Sequence, residues 1–332
     1  MINKDGIVYI LCTSNFATGG TESLHLLCHT LRKKDIDARM IYAEENHLIG
    51  ELIYRLGHPG HGNVDVCKGW YDHVTSNGKV EQFNIYDTVS TDKIEDNENN
   101  TLIVPEIYLN ALNKFSLLKK AIWWLAARVN SDGSYDYQKW FNFNKDRDVY
   151  HFYNSKAAEF MLSNLNATNY FQLKTFVNEN IKFSDKTKEN IICYNPKKGL
   201  EFTEKILKLL PEYKHIPINN MTPEQVRDTL SRAKLYIDFG HHPGRERLPR
   251  EAILCDCCII SSFEGSAMFF EDMPIKESYK FEKDDKNINV IVNLIKEVIN
   301  DYDTHLNNFK HYKKILSNNK TQFNIDVDNL II

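Results

Sequence analysis

The sequence predicts an α/β protein made of two doubly wound parallel sheets. Three observations carry that expectation. Short apolar runs of strand length alternate with helical segments along the chain, which argues for strands joined by helical crossovers. Several of those runs end in turns rich in glycine or basic residues. The length, 332 residues, suits about two domains of ordinary size.

The elements follow in order. GIVYILC (6–12) is a buried strand, and TSNFATGGTES after it is a polar turn containing Gly19 and Gly20. Leu24, Leu27, Cys28 and Leu31 then recur at helical spacing, and the helix ends in RKKD, whose basic residues suit a helix C-terminus. ARMIYA (38–43) is the second strand, completing a βαβ unit. Residues 50–100 are turn-rich, with RLGHPGHGN and KIEDNENN as punctuation. TLIVPEIY (101–108) is another buried strand, KKAIWWLAARV (119–129) an apolar run with basic flanks, and 130–148 a surface loop. The polar stretches at 92–100 and 142–148 are expected to be solvated. VYHFYNS (149–155) is a strand and KAAEFMLSNL a helix.

The second half is patterned more plainly. NIICYN (190–195), HIPI (215–218), AKLYIDF (233–239) and CCIISS (257–262) are strands. Helices are marked by Phe202, Ile206, Leu209 and Leu210, by Thr222-Pro223-Glu224-Gln225 as a capped start, by REAILCD, and by a final long helix opening at Ile291 and extending through Phe309. A boundary near 170–188 divides the chain into domains at 1–178 and 179–332, with the last helix packing back on the first.

Composition narrows the function classes. Lys and Arg total 41 against 45 Asp and Glu, a formal charge of -4, so a broad nucleic-acid footprint is not expected and only a local basic patch stays open. No apolar run approaches the ~18 residues of a membrane span. MINKDGIVYILCTSN has a short apolar core without a small-residue cleavage site and reads as a first strand rather than a signal peptide. The seven cysteines mostly sit in apolar runs, as buried reduced thiols of a cytosolic protein do. CDCC (255–258) has no second CxxC or His pair, and His58, His61, Cys67 and His73 lie in a turn-rich segment, so no metal site is expected.

In open α/β sheets ligands bind beyond the carboxyl ends of strands, and four such turns stand out. TSNFATGGTES offers two glycines and a helix N-terminus, or is simply a tight turn; it is not a GxGxxG fingerprint. Tyr194-Asn195-Pro196-Lys197-Lys198-Gly199 sets two lysines before a helix, either to meet a phosphate or as a solvated basic turn. Asp238 to Ala252, DFGHHPGRERLPREA, carries Arg245, Arg247 and Arg250 with Glu246 and Glu251. It is either an anion site or a surface ion-pair network. Ser262-Phe263-Glu264-Gly265-Ser266-Ala267 is small enough to present backbone N–H groups to an anion, or is a plain turn.

Together these segments resemble a GT-B glycosyltransferase, most closely the family-four-like enzymes and a bacterial polysaccharide-type branch. GGTESLHLLCHTLRKKDIDARMIY resembles the glycine loop and first helix of the acceptor domain, NPKKGLEF the opening of the nucleotide-sugar domain, and REAILCDCCIISSFEGSA its glutamate-alanine helix, strand and small-residue loop. The resemblance covers most of the chain and is weakest at 45–100. It implies two Rossmann-like domains facing across a cleft, with Gly19, Gly20 and Thr21 in the acceptor-side loop. Lys198, Gly199, Arg245 and Arg247 would stand at the donor, Lys198 and Arg247 on its diphosphate. Glu251 would bind the nucleotide ribose, and Gly265, Ser266 and Ala267 would lie near the phosphates. The first glutamate of the family's pair falls on Pro243, a departure that leaves the donor-sugar contact and the stereochemistry open; His242 and Glu246 are the residues placed to compensate.

The implied reaction moves a sugar from a nucleotide-sugar to a cell-surface glycan or lipid-linked acceptor, with no metal and no further cofactor, in the cytoplasm or at the inner membrane face. Candidate catalytic residues are Glu106, Glu22 and His242, with His25 better placed as a structural group. Trp123 and Trp124, beside Lys119, Lys120 and Arg128, are a candidate peripheral membrane contact, one ring in the core and the other lining the cleft. A sugar-nucleotide epimerase on the same fold, and a non-catalytic module of a glycan-assembly complex, remain alternatives.

Overall fold

A computed structural model describes residues 1–43, 74–127, 137–144, 148–177 and 186–332. The metal-like residues His58, His61, Cys67 and His73, and Arg128, lie outside the described residues. The chain divides into two compact units, Met1–Thr175 with Thr321–Ile332, and Phe176–Lys320.

The first unit is a sheet of β1 (Val8–Thr13), β2 (Ala38–Ala43), β3 (Val74–Thr75), β4 (Val89–Ser90), β5 (Thr101–Pro105), β6 (Lys119–Trp124), β7 (Val149–Tyr153) and β8 (Tyr170–Gln172). Their order is β3-β2-β1-β5-β6-β7-β8, with β4 also beside β2. All pairings are parallel except β2 with β3. β1 is buried along its whole length, as a central parallel strand covered on both faces must be. Helix α1 (Gly19–Arg32) starts at a capping box, Thr18 accepting from the Thr21 amide while Thr21 closes back on the Thr18 amide. Its stripe Leu24, Leu27, Cys28 and Leu31 is buried.

Trp123 and Trp124 are both wholly buried, which corrects the expectation of a cleft-lining or membrane-touching ring. Successive strand residues face opposite sides of a sheet, and both sides are covered here. Trp123 donates to the Leu173 carbonyl at 3.0 Å and stacks on Phe323 of the last helix. Trp124 donates to His151 Nδ1 at 3.1 Å and packs on Tyr137 and Phe141. Phe141 belongs to helix α2 (Gln138–Asn144), so part of the stretch expected to be a surface loop is packed against the sheet. The 92–100 segment is likewise more than solvated loop: Asp96 accepts three backbone amides, from Ser116, Leu117 and Leu118, and the buried Asn100 accepts from Ile7. Helix α3 (Lys156–Asn164) is capped by Ser155.

The second unit contains β9 (Glu189–Tyr194), α4 (Leu200–Leu207), β10 (Lys214–Pro217), α5 (Pro223–Arg232), β11 (Ala233–Asp238), α6 (Arg247–Leu254), β12 (Cys258–Ser262) and β13 (Lys280–Phe281). The strands are all parallel in the order β10-β9-β11-β12-β13. α5 opens on the Thr222–Gln225 capping box with Pro223 in its first turn, as the sequence predicts. The helix expected from Ile291 through Phe309 is instead two, α7 (Ile288–Asn300) and α8 (Tyr302–Asn307), and a further helix, α9 (Lys310–Leu330), follows them. The break falls at Asp301, whose backbone leaves helical geometry (φ -116, ψ 50). The residues of α9 from Thr321 onward belong to the first unit. There the buried Asp326 accepts from Gln172 at 2.9 Å and from the Lys174 amide at 3.0 Å.

Cys12, Cys28, Cys193, Cys255, Cys257 and Cys258 are buried free thiols. Burial pushes Cys28 and Cys257 up to about 12 and Cys255 up to about 11, so they are protonated and unreactive at neutral pH. Among the described residues no helix is long and apolar enough to cross a membrane.

Candidate functional site

Strand order reverses in the second unit between β9 and β11, since β10 continues on the far side of β9. Such a switch leaves a crevice beyond the carboxyl ends of the two central strands. The loops that leave β9 (195–199) and β11 (239–246) flank it, and the turn after β12 lies beside them.

Close backbone approach joins these loops. Gly199 has φ +63, and a Cβ there would stand 2.2 Å from the Phe239 carbonyl oxygen. Gly265 has φ +58, and its Cβ would stand 2.1 Å from the His242 carbonyl oxygen. Only glycine combines a left-handed backbone with such proximity. The Ser266 amide donates to the His242 carbonyl at 2.7 Å, and the Ser266 hydroxyl to the Gly244 carbonyl at 2.5 Å. Ser266 therefore joins two loops. The Ala267 amide donates to Glu264, so neither N–H is presented to an anion as the sequence led one to expect.

Asp238, the last residue of β11, orders the neighbouring loop. Its buried carboxylate accepts from the Tyr236 hydroxyl at 2.8 Å and the Gly240 amide at 2.9 Å, with Asn195 Nδ2 at 3.5 Å. Burial, then the charge of Asp238, pushes the Tyr236 phenol well above its ordinary range.

Lys197 is exposed, and the other four cations fall into two groups. Lys198 and Arg247 are about one-third exposed. Lys198 Nζ lies 2.8 Å from Glu246 Oε1, and Arg247 Nε 2.6 Å from Glu251 Oε1. Arg245 and Arg250 are buried. Arg250 donates to the Glu246 carbonyl at 3.1 Å and the Arg245 carbonyl at 2.8 Å, fixing the loop that leads into α6. Burial, then the nearby Arg245, lowers Arg250 to about 10, and it stays charged at neutral pH. Arg245 is buried, and with the Asn319 amide turned to satisfy its neighbours the Asn319 oxygen accepts from it at 2.9 Å, so little of Arg245 is open to a ligand.

Helices α4 and α6 both start at this crevice without a side-chain cap. Their first amides carry the positive end of the helix dipole. His242 is buried, with Nε2 3.1 Å from the Ser261 hydroxyl and Nδ1 unpaired among the described residues. The sequence placed His242 among the catalytic candidates; here it is a buried group beside the Ser261 hydroxyl. The neighbouring His241 is the more exposed imidazole, 3.8 Å from Glu264, and partial desolvation is the main cause lowering its pKa.

In the first unit the strand order reverses between β1 and β5, and Gly19, Gly20, Thr21, Glu22 and Glu106 all follow those two strands. Glu106 directly succeeds β5. It is buried and accepts from the Leu125 amide at 3.1 Å. Tyr108 and Thr13 join the two strand ends through their hydroxyls at 2.8 Å. Glu22 accepts from the Tyr86 hydroxyl at 2.9 Å. His25 is internal: Nδ1 donates to the Thr21 carbonyl at 2.7 Å, which leaves Nε2 to accept from the Tyr42 hydroxyl at 3.0 Å. Burial lowers His25 to about 4, and the imidazole is neutral.

The structure thus gathers Lys198, Gly199, Arg247, Glu251 and Gly265 about one switch, and Gly19, Gly20, Thr21, Glu22 and Glu106 about the other. Asp238 and Tyr108 were passed over in the sequence. Asp238 had a signal, a carboxylate closing an apolar strand before a glycine. Tyr108 had none, because its partner Thr13 is 95 residues away.

No protein-family model matches the chain, and no curated protein matches it. Solved structures do. Sucrose-phosphate synthase from Thermosynechococcus elongatus aligns at a TM-score of 0.62 and 12% identity over 98% of each chain. HepE from Anabaena, in complex with UDP-glucose, aligns at 0.56 and 10% over 98% of each chain. A mutant of S. aureus TarM, in complex with fondaparinux, α-GlcNAc-glycerol and UDP, aligns at 0.53 and 13%, covering 70% of this chain and 55% of that one. The chain therefore spans about half the length of that TarM structure. At these identities the likeness is one of fold. These neighbours are GT-B glycosyltransferases, and the chain has the GT-B fold, a mixed α/β architecture with parallel sheets.

Proposed function

We propose that the protein is a glycosyltransferase that moves a sugar from a nucleotide-sugar to a glycan or lipid-linked acceptor. The observation that carries this reading is the β9/β11 crevice, where two uncapped helix N-termini stand with Lys198 and Arg247. A departing nucleoside diphosphate develops negative charge as the glycosidic bond breaks, and fixed cations and helix dipoles stabilise that charge without reorganising. Lys198 and Arg247 supply this stabilisation in place of a metal ion. Glu251 accepts from the ribose hydroxyls. The family-four-like segments NPKKG and PREA support the assignment, and HepE, crystallised with UDP-glucose, shows this fold holding such a donor. On the acceptor side, Gly19 and Gly20 leave room for a sugar, and Glu106 or Glu22 takes the proton of the attacking hydroxyl.

The test is a thermal-shift and calorimetric screen of the full chain against UDP-, GDP-, dTDP- and CMP-sugars and the nucleotides they release. Binding of one base class, weakened by Lys198→Ala and by Arg247→Ala, is the expected result. No binding to any of them rejects the reading. Incubating the bound donor without acceptor separates transfer from epimerisation, which would interconvert donor sugars.

A further inference from the structure

Lys198 and Arg247, the two partly exposed cations of the β9/β11 crevice, are ion-paired within the chain, and both carboxylates come from one short stretch, Glu246 to Glu251. The pairs differ in kind. Lys198 and Glu246 bridge the two sides of the switch, and their side chains are 37% and 26% exposed. A pair this exposed is weakly held, so a multiply charged anion can take Lys198 from Glu246. Arg247 and Glu251 stand one turn apart on α6, and the Glu251 side chain is only 3% exposed. Withdrawing Arg247 would leave a buried carboxylate without its hydrogen-bond donor, with the charge of nearby Arg250 left to offset it, which is costly unless other donors replace it. Ribose hydroxyls are neutral donors of that kind; a phosphate brings further negative charge against the buried carboxylate and cannot replace Arg247 there.

We propose that Glu246 and Glu251 are intramolecular counter-anions of the donor site, and that a nucleoside diphosphate binds by exchanging with both. Its phosphates displace Glu246 from Lys198. Its ribose hydroxyls satisfy Glu251 and release Arg247 to the phosphates. Free pyrophosphate accomplishes only the first exchange, so the site favours nucleoside diphosphates over pyrophosphate. The second exchange rests on the nucleotide-sugar reading above. The first concerns anions of any kind.

Calorimetry of the full chain with UDP and with inorganic pyrophosphate, without divalent cations, tests this on the wild type, Glu246→Gln and Glu251→Gln. The wild type is expected to bind UDP at least tenfold more tightly than pyrophosphate. Glu246→Gln is expected to tighten both ligands about threefold, the scale of an exposed ion pair. Glu251→Gln is expected to move them oppositely, tightening pyrophosphate about threefold and weakening UDP at least fivefold. Unchanged or weaker binding of both ligands by Glu246→Gln overturns the proposal, as does a shift of both ligands in one direction by Glu251→Gln. If Glu251→Gln does not fold, the exposed Glu246→Gln decides alone. A wild type that binds pyrophosphate but no nucleoside diphosphate rejects the nucleotide reading, while the effect of Glu246→Gln on pyrophosphate still decides whether Glu246 is a counter-anion.

Discussion

The glycine-bearing turns of the two units look alike in sequence and are built for different ends. In the second unit Gly199 and Gly265 have left-handed backbones, and any side chain there would strike a carbonyl oxygen of the next loop. Packing alone accounts for them. In the first unit a Cβ on Gly19 would meet nothing within 4 Å, and one on Gly20 would make ordinary contact with Leu125 and Thr18. Packing does not demand glycine there. The helix ends differ in the opposite sense. α1 carries a complete capping box, whereas α4 and α6 have no side-chain cap and stand beside Lys198 and Arg247. The second unit gathers ion-paired cations and uncapped helix starts beside loops that close on one another. The first keeps a capped, less charged rim with open space above it. A glycine doublet therefore says little until its surroundings are known.

The largest test of this contrast is conformational. Gly199→Ala and Gly265→Ala are each expected to lose about 2–4 kcal/mol of stability through left-handed strain and contact with backbone. Gly19→Ala is expected to change stability by less than about 1 kcal/mol. Denaturant midpoints at constant m-value compare the three, and equal losses would erase the distinction.

A second test uses pH and belongs to the first unit. Burial lowers His25 and His151 to about 4, while an unfolded histidine titrates near ~6.5. Between these values the unfolded chain binds protons that the folded chain refuses, so stability falls as pH drops from ~6.5 and levels off near ~4. Each histidine contributes roughly 2–3 kcal/mol to that loss. Unfolding of the first unit followed between pH 7.5 and 4.5 shows it, and His25→Gln flattens the curve.

Third, Lys198→Ala is expected to weaken nucleoside diphosphate binding by about 2 kcal/mol, the scale of a charge-assisted hydrogen bond. Calorimetry reads this directly, and an unchanged affinity removes Lys198 from the donor site. The smallest effect concerns the caps. Thr18→Ala and Thr222→Ala are each expected to lose about 1 kcal/mol of stability. Thr222→Ala leaves nucleotide affinity as it was, because α5 does not start at the crevice.

Much of the fold was legible because buried parallel strands and amphipathic helices write their periodicity locally. ARMIYA, AKLYIDF and CCIISS become strands within a residue or so of their expected bounds, and the Thr222 cap stands where its motif predicts. Legibility failed where long-range partners decide. The 130–148 stretch reads as polar loop, yet Trp140 and Phe141 are buried. The tryptophan pair reads as half exposed, yet the last helix supplies Phe323 to cover Trp123. TLIVPEIY reads as a strand whose ladder Pro105 ends, and β5 does stop at Pro105, but nothing in the sequence announced the 3-10 turns that follow from Glu106.

At the candidate site the division is similar. By itself the sequence determined which turns carry cations and glycines and that these turns follow strands, because residue type and periodicity are local properties. It also carried the GT-B resemblance. Tertiary structure decided which of those residues stay available. Among the arginines, Arg245 and Arg250 are buried and spent on packing, while Arg247 stays partly exposed. Of the adjacent histidines, His242 is interior and His241 is not. Glu246, passed over in sequence except as a substitute for the residue missing at 243, holds Lys198. Exposure and ion pairing depend on which loops the sheet order brings together, and residues 198 and 246 meet only because β9 and β11 are neighbours in the sheet.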